Sequence, residues 1–189
     1  MISIVIVYYK VEKELLSCIS SIFKSKPKVE IEIIVVDNDE NGEIKAKLKE
    51  QFPQVRYIKS PGNIGFGAGN NLGAKFAFGE YLFFLNPDTV LKDNSIDALF
   101  SFMKNNPESG MLAPLLLDPS GKAYHSQGSD EYNFKNAIFT SSFLNKLFPN
   151  NSKNSCIVSL LDISLTEDFS TNVIYFLSSF SSISLIKDA

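Results

Sequence analysis

Two runs of β-branched residues leave this chain few folds to choose from. Ile2–Tyr9 (ISIVIVYY) and Ile31–Val36 (IEIIVV) lack the polar alternation of a strand with one wet face, so each needs cover on both faces, as in a parallel sheet between helices. Between them Leu15, Ile19, Ile22 and Phe23 recur at helical spacing, while Glu12, Lys13 and Lys24 sit off that stripe. The unit is strand, helix, strand.

The rhythm repeats. Ile44 and Leu48 mark an amphipathic helix rich in Lys and Glu, and Val55–Ile58 a short strand. A glycine loop opens a helix over Ala68–Phe78 that Gly79 closes, and Tyr81–Leu85 (YLFFL) is the next buried strand. Asn94 is placed to cap a helix whose inner face carries Ile96, Leu99, Phe100 and Met103. Met111–Leu117 reads as a strand, and Asp118-Pro119-Ser120-Gly121 as a type I turn followed by an extended segment. Phe134, Ile138, Phe143 and Leu147 suggest one more helix before the chain becomes rich in Ser and Asn. The expected fold class is α/β, with a mostly parallel central sheet between two helical layers and ligands outside the carboxyl ends of its strands.

At 189 residues with 44% hydrophobic and 21% charged content, the chain suits one domain with one core. A net charge of -3 and a pI near 5.2 provide no cationic field for a phosphate backbone, so nucleic acid is not an expected partner. Cys18 and Cys156 are far apart and belong to no zinc or disulfide pattern. No apolar run approaches the roughly 20 residues that span a bilayer, and the short amino-terminal run has no basic flank or cleavage site. The expected location is cytoplasmic, with peripheral association at the inner face of the membrane compatible.

Three clusters fall at strand ends. Asp37-Asn38-Asp39 follows the second strand, where an Asp accepts a hydrogen bond from a uracil or thymine imino group and Asn adds another, or where the residues make only a turn. Asn63-Ile64-Gly65-Phe66-Gly67-Ala68-Gly69-Asn70-Asn71 opens a helix whose free amides favour phosphate; close helix packing explains the same glycines. A dinucleotide loop would follow the first strand, not the third. Asn86-Pro87-Asp88-Thr89 follows the fourth strand, where proline stiffens the turn and the Asp88 carboxylate suits Mg²⁺ or Mn²⁺, or caps the next element.

Together the segments SIVIVYY, IIVVDND and NIGFGAGNNLGAKFAFGEYLFFLNPDT, with LLLDPSG, resemble the family-2 glycosyltransferases of GT-A fold, especially bacterial rhamnosyltransferase-like members that build cell-surface polysaccharide. The resemblance covers about the first 130 residues. It implies a three-layer α/β/α nucleotide-diphospho-sugar transferase fold, with residues 1–130 as the donor region and 131–189 as an incomplete start of the acceptor side, in one domain. It further implies that Asp37 contacts the base with Asn38 beside it, that Asn63, Gly65, Phe66, Gly67 and Asn70 line the donor pocket, and that Asn86-Pro87-Asp88 replaces an Asp-x-Asp motif, Asp88 holding the divalent cation. Tyr8 and Tyr9 fall beside the base by the same resemblance, or belong to the core.

The implied reaction is inverting transfer of a hexose or deoxyhexose such as rhamnose from a dTDP- or UDP-sugar to a saccharide or lipid-linked acceptor, the metal offsetting the leaving group's charge. Its base comes from a Glu-Asp motif after a segment like Phe176–Lys187, so the catalytic residue is expected beyond Ala189. Glu167-Asp168 precedes that segment and reads as a solvated loop, and His125, the sole histidine, as a surface residue. The chain is then a fragment of an enzyme or a shortened, non-catalytic sugar-nucleotide-binding module. A nucleotidyltransferase or dinucleotide-dependent oxidoreductase fits the loop position and the Asn-Pro-Asp turn less well.

Overall fold

The computed structural model describes residues 1–92, 94–107, 109, 111–118 and 120–122, together with the backbone of two later strands at 162–165 and 175–178. The apolar runs form the centre of the sheet. β1 (Ile2–Tyr8) lies between β2 (Ile31–Asp37) and β4 (Tyr81–Phe84), with β3 (Arg56–Lys59) outside β2, and all four are parallel. Beyond β4 the sheet continues through β9 (Tyr175–Ser178), antiparallel to β4, and β6 (Met111–Leu112), antiparallel to β9. A smaller sheet orders β5 (Thr89–Leu91), β8 (Asp162–Leu165) and β7 (Leu115–Leu117).

Alternate residues of the central strands feed two cores, which is why neither strand alternates in polarity. Ile2, Ile4, Ile6 and Tyr8 of β1 pack with Ile33 and Val35 of β2 beneath α1 (Glu12–Lys24), α2 (Ile44–Gln51) and α4 (Ser95–Asn105), which contribute Leu15, Ile19, Ile22, Ile44, Leu48, Ile96, Leu99 and Met103. Val5, Val7, Ile34, Val36, Leu82 and Phe84 face the other way, toward α3 (Phe66–Ala74) and the turn after it, where Ala74 and Ala77 are buried. This is the three-layer α/β arrangement expected from the sequence.

α3 lies unusually close to β1. A Cβ on Gly73 would stand 2.4 Å from Val5 Cγ1, and one on Gly69 2.9 Å from Val7 Cγ1. Both glycines are therefore required by packing, and they fix the height at which the helix crosses the sheet.

Several elements differ from expectation. α3 begins at Phe66 and ends at Ala74, not at Ala68 and Phe78. Gly79 does not close it: its amide donates to Ser3 Oγ at 2.7 Å, and a Cβ there would meet the Ser3 amide at 2.5 Å, so glycine is demanded by the approach to β1. Asn94 precedes α4 but caps nothing with its side chain; it takes a left-handed conformation, φ 64°, that turns the chain into the helix. The run Met111–Leu117 is not one strand, because Ala113 and Pro114 interrupt it and its halves join different sheets. At Asp118 the Gly121 amide donates to the Asp118 carbonyl at 2.9 Å; Pro119, the second position of the expected turn, lies outside the described residues. The expected helix over 134–147, the extended segment after Lys122, His125, Cys156 and Glu167-Asp168 lie outside the described residues.

Gly73→Ala is expected to lower stability by about 1–3 kcal/mol in urea unfolding despite the better helix propensity of alanine. Combined with Val5→Ala it should cost less than the sum of the two single losses; additive losses would mean that the helix shifts freely on the sheet.

Candidate functional site

The carboxyl ends of β1, β2 and β4 meet the start of α3 around a cleft of about 310 Å³ lined by residues including Tyr9, Asn38, Asn63, Gly65, Phe66 and Asp88. Each wall has a local cause. Gly65 takes φ 82°, open to glycine at no steric cost, and its amide donates to Asn63 Oδ1 at 3.1 Å, so the chain turns sharply into α3. The first turn of α3 has no side-chain cap, so its leading amides lack intrahelical partners, and Gly65 and Phe66 at its start line the cleft. Asn38 holds this turn to β2 by donating Nδ2 to the Gly65 carbonyl at 3.0 Å. Its Oδ1 is buried and has no partner among the described residues. An orphan acceptor at a cleft wall favours a ligand or water that brings an N–H or O–H.

Opposite, the Asn86-Pro87-Asp88-Thr89 turn is fastened through one carbonyl. The Asn86 oxygen accepts from the Thr89 amide at 3.3 Å, from Thr89 Oγ1 at 2.6 Å and from Cys18 Sγ at 3.6 Å. Thr89 and Cys18 are fully buried, so the turn is anchored in the core while Asp88 reaches the cleft. Asp88 is half-buried, and burial raises its carboxyl above the ordinary range; its own backbone amide opposes the shift and the charge of Glu14 adds to it.

Among the other residues expected at the site, Tyr9 and Phe66 are exposed at the cleft, 42% and 45%, as flat apolar faces. Asn86 also lines it. Tyr8 instead belongs to the core beneath α1, where burial, followed by the charges of Asp39 and Asp37, pushes its phenol up to about 12. Gly67 lies in the first turn of α3, and Asn70 one turn further in, buried, its Oδ1 without a partner among the described residues. Neither lines the cleft.

Asp37 ends β2 with no exposed surface. Its Oδ1 accepts the Asp39 amide at 2.8 Å, and its Oδ2 accepts Tyr57 Oη at 2.6 Å and Lys59 Nζ at 3.5 Å. Burial, then the bond to Asp37, raises the Tyr57 phenol well above its ordinary range and keeps it a donor. Lys59 Nζ also donates to the Asp39 carbonyl. Periodicity in the sequence does not single out Tyr57 or Lys59. The signal available was their spacing of two on a short strand; its register, Val35 opposite Tyr57 and Asp37 opposite Lys59, puts both beside the carboxylate.

Comparison with known proteins resolves what this site belongs to. The profile described as Glycosyl transferase family 2 matches residues 3–168. The chain belongs to that family. An uncharacterized glycosyltransferase of Methanocaldococcus jannaschii is 29% identical over 133 residues, 68% of this chain and 46% of the relative. The N-acetylglucosaminyl-diphospho-decaprenol L-rhamnosyltransferase of Mycobacterium tuberculosis is 27% identical over 107 residues, 51% of this chain and 35% of that enzyme. This family 2 chain thus spans less than half the length of those relatives. In fold it is similar to S. aureus TarS 1–349, crystallised in complex with UDP-GlcNAc, with a TM-score of 0.54 at 20% identity, covering 69% of this chain and 38% of that one. The GT-A architecture is shared.

Among the described residues no three His, Cys, Asp or Glu side chains form a metal cage, and no helix is long and apolar enough to cross a membrane. Asp88 nonetheless suits a cation held in part by a bound ligand: it is one half-buried carboxylate whose charge its surroundings disfavour. The unfolded carboxyl titrates near 3.8 and the folded one higher. Its contribution to stability is therefore complete below the unfolded value and lost as pH rises through the folded value. Asp88→Asn is expected to melt above the parent chain around pH 7, with the gap closing toward about pH 4. Equal melting temperatures around pH 7 would contradict the strain assigned to Asp88.

Proposed function

We propose that the chain binds the nucleoside diphosphate sugar donor of a glycosyltransferase, a dTDP- or UDP-sugar, and serves inverting transfer of a hexose or deoxyhexose, rhamnose among the candidates, to a saccharide or lipid-linked acceptor in cell-surface polysaccharide synthesis. The observation that carries this reading is the pairing, across one cleft, of the uncapped start of α3 with the Asp88 carboxylate. A diphosphate would suit both sides: its oxygens would accept from the helix amides, and Asp88 is the carboxylate that would hold a divalent cation, Mg²⁺ or Mn²⁺, beside it. When bound, such a cation offsets the charge of the departing diphosphate.

The chain's own residues then have distinct tasks. Asp37 and Asn38 mark the nucleobase end at the edge of β2, with Tyr9 offering a ring face to the base. Asn63, Gly65 and Phe66 line the loop and helix start over the diphosphate, Gly67 and Asn70 continue that helix behind the cleft wall, Tyr8 ends β1 in the core beneath α1, and Asn86 lies beside Asp88 in the cleft. Residues 131–189 are assigned to the acceptor side of the same domain, and the work to the cytoplasmic face of a membrane. The relatives support the class: one is an N-acetylglucosaminyl-diphospho-decaprenol L-rhamnosyltransferase. Because the described cleft carries donor-side groups and no assigned base, donor binding without transfer is the second reading.

Calorimetric titration of UDP-, dTDP- and GDP-sugars with and without Mn²⁺ tests the proposal. The expected outcome is Mn²⁺-dependent binding of a UDP- or dTDP-sugar that Asp88→Ala weakens by about tenfold or more. Metal-independent binding indifferent to Asp88→Ala would remove the site assignment. Product formation with a saccharide or lipid-linked acceptor separates transferase from binding module.

A further inference from the structure

The group at the end of β2 carries an inference that rests on the donor reading and deepens it. Asp37 as it stands offers no surface to a ligand. It is completely buried, and its two oxygens receive the Asp39 amide, the Tyr57 hydroxyl and the Lys59 ammonium. Gly42 closes over the same spot at φ 65°, where a Cβ would lie 3.7 Å from Tyr57 Oη and 3.9 Å from Asp37 Oδ2. Of the side chains around the carboxylate, Lys59 reaches solvent, with 37% of its side chain exposed.

Its position is fixed from three directions. Register places it directly across from Asp37. Its ammonium bridges the Asp37 carboxylate and the Asp39 carbonyl, the residues on either side of Asn38, which itself lines the cleft. The next residue, Ser60, is locked by its amide and hydroxyl on the Asp37 carbonyl at 3.0 and 2.9 Å, and the chain then runs through Pro61 and Gly62 to Asn63 at the cleft wall. An ammonium has three protons, and two are directed at Asp37 and Asp39.

We infer that Lys59, held in place by Asp37, is the residue that selects the nucleobase, its third proton donating to a ring carbonyl oxygen of a uracil- or thymine-type base. The chemistry discriminates in one direction. Uracil and thymine present an acceptor oxygen at ring position 4, where cytosine presents an amino group that would set donor against donor. In this arrangement Asp37 is a positioning residue: its buried charge orders a long, flexible cation at the edge of the sheet.

UDP and CDP carry the same diphosphate and differ in the base, so their titration into the full chain isolates this contact. The parent chain is expected to prefer UDP, Lys59→Met to lose about tenfold in UDP affinity with CDP unchanged, and Lys59→Arg to keep part of the preference. Asp37→Asn should erode the same preference without altering CDP binding. On the unsubstituted chain, saturating UDP should slow acetylation of Lys59 by an N-hydroxysuccinimide ester more than saturating CDP does, a measurement that does not depend on any variant folding. UDP binding unchanged or strengthened in Lys59→Met would overturn the inference, since Asp37 would then take the base itself once uncovered. Equal weakening of UDP and CDP would overturn it too, assigning Lys59 to the phosphates. A parent chain that binds neither nucleotide defeats the donor reading, and this inference with it.

Discussion

The closeness of α3 to β1 sets the geometry of everything above it. Helices usually ride on a sheet at a distance set by the side chains between them; here Gly69 and Gly73 remove that spacer and Val7 and Val5 fill the gap. The start of the helix is thereby lowered to the level of the strand ends, where Gly65 meets Asn38. Larger residues in place of those glycines would meet Val7 and Val5 and push the helix away from the sheet. The same packing leaves little room to adjust, because interiors this dense transmit a displacement instead of absorbing it.

Across the cleft the constraint is electrostatic. Asp88 is held where burial disfavours its charge, and the turn stays in place because the Asn86 carbonyl is bonded to fully buried residues behind it. Rigid support for a disfavoured charge fits a site that completes itself with a ligand, as strained groups tend to gather where function requires them. Asp37, fully buried, is held by the Tyr57 hydroxyl, the Lys59 ammonium and the Asp39 amide.

The central strands were legible because residues buried on both faces need no partner to be recognised: Ile2–Tyr8 and Ile31–Asp37 differ from expectation by a residue at one end. The cleft was legible in outline for a similar reason, since polar residues that follow buried strands fall at one edge of a parallel sheet. What stayed hidden depended on contacts between distant segments. The service of Gly79 to Ser3, the pairing of Thr89–Leu91 with 162–165, and the placement of Tyr57 and Lys59 over Asp37 all follow from register or close approach, which periodicity within one segment does not encode. Asn94 misled because its residue type suits both a side-chain cap and a left-handed turn, and the helix uses the second.

The order of strands also bears on how the chain reaches this state. β9, from residues 175–178, lies between β4 and β6, so two segments close in sequence to the rest of the domain meet only through one that arrives much later. Until it does, the edge of β4, built from Tyr81, Leu82, Phe83 and Phe84, has its backbone groups on that side unsatisfied. An apolar open edge of this kind invites pairing with a neighbouring chain. During synthesis the sheet is therefore completed on this side only once residues 175–178 have been added, later than at its centre.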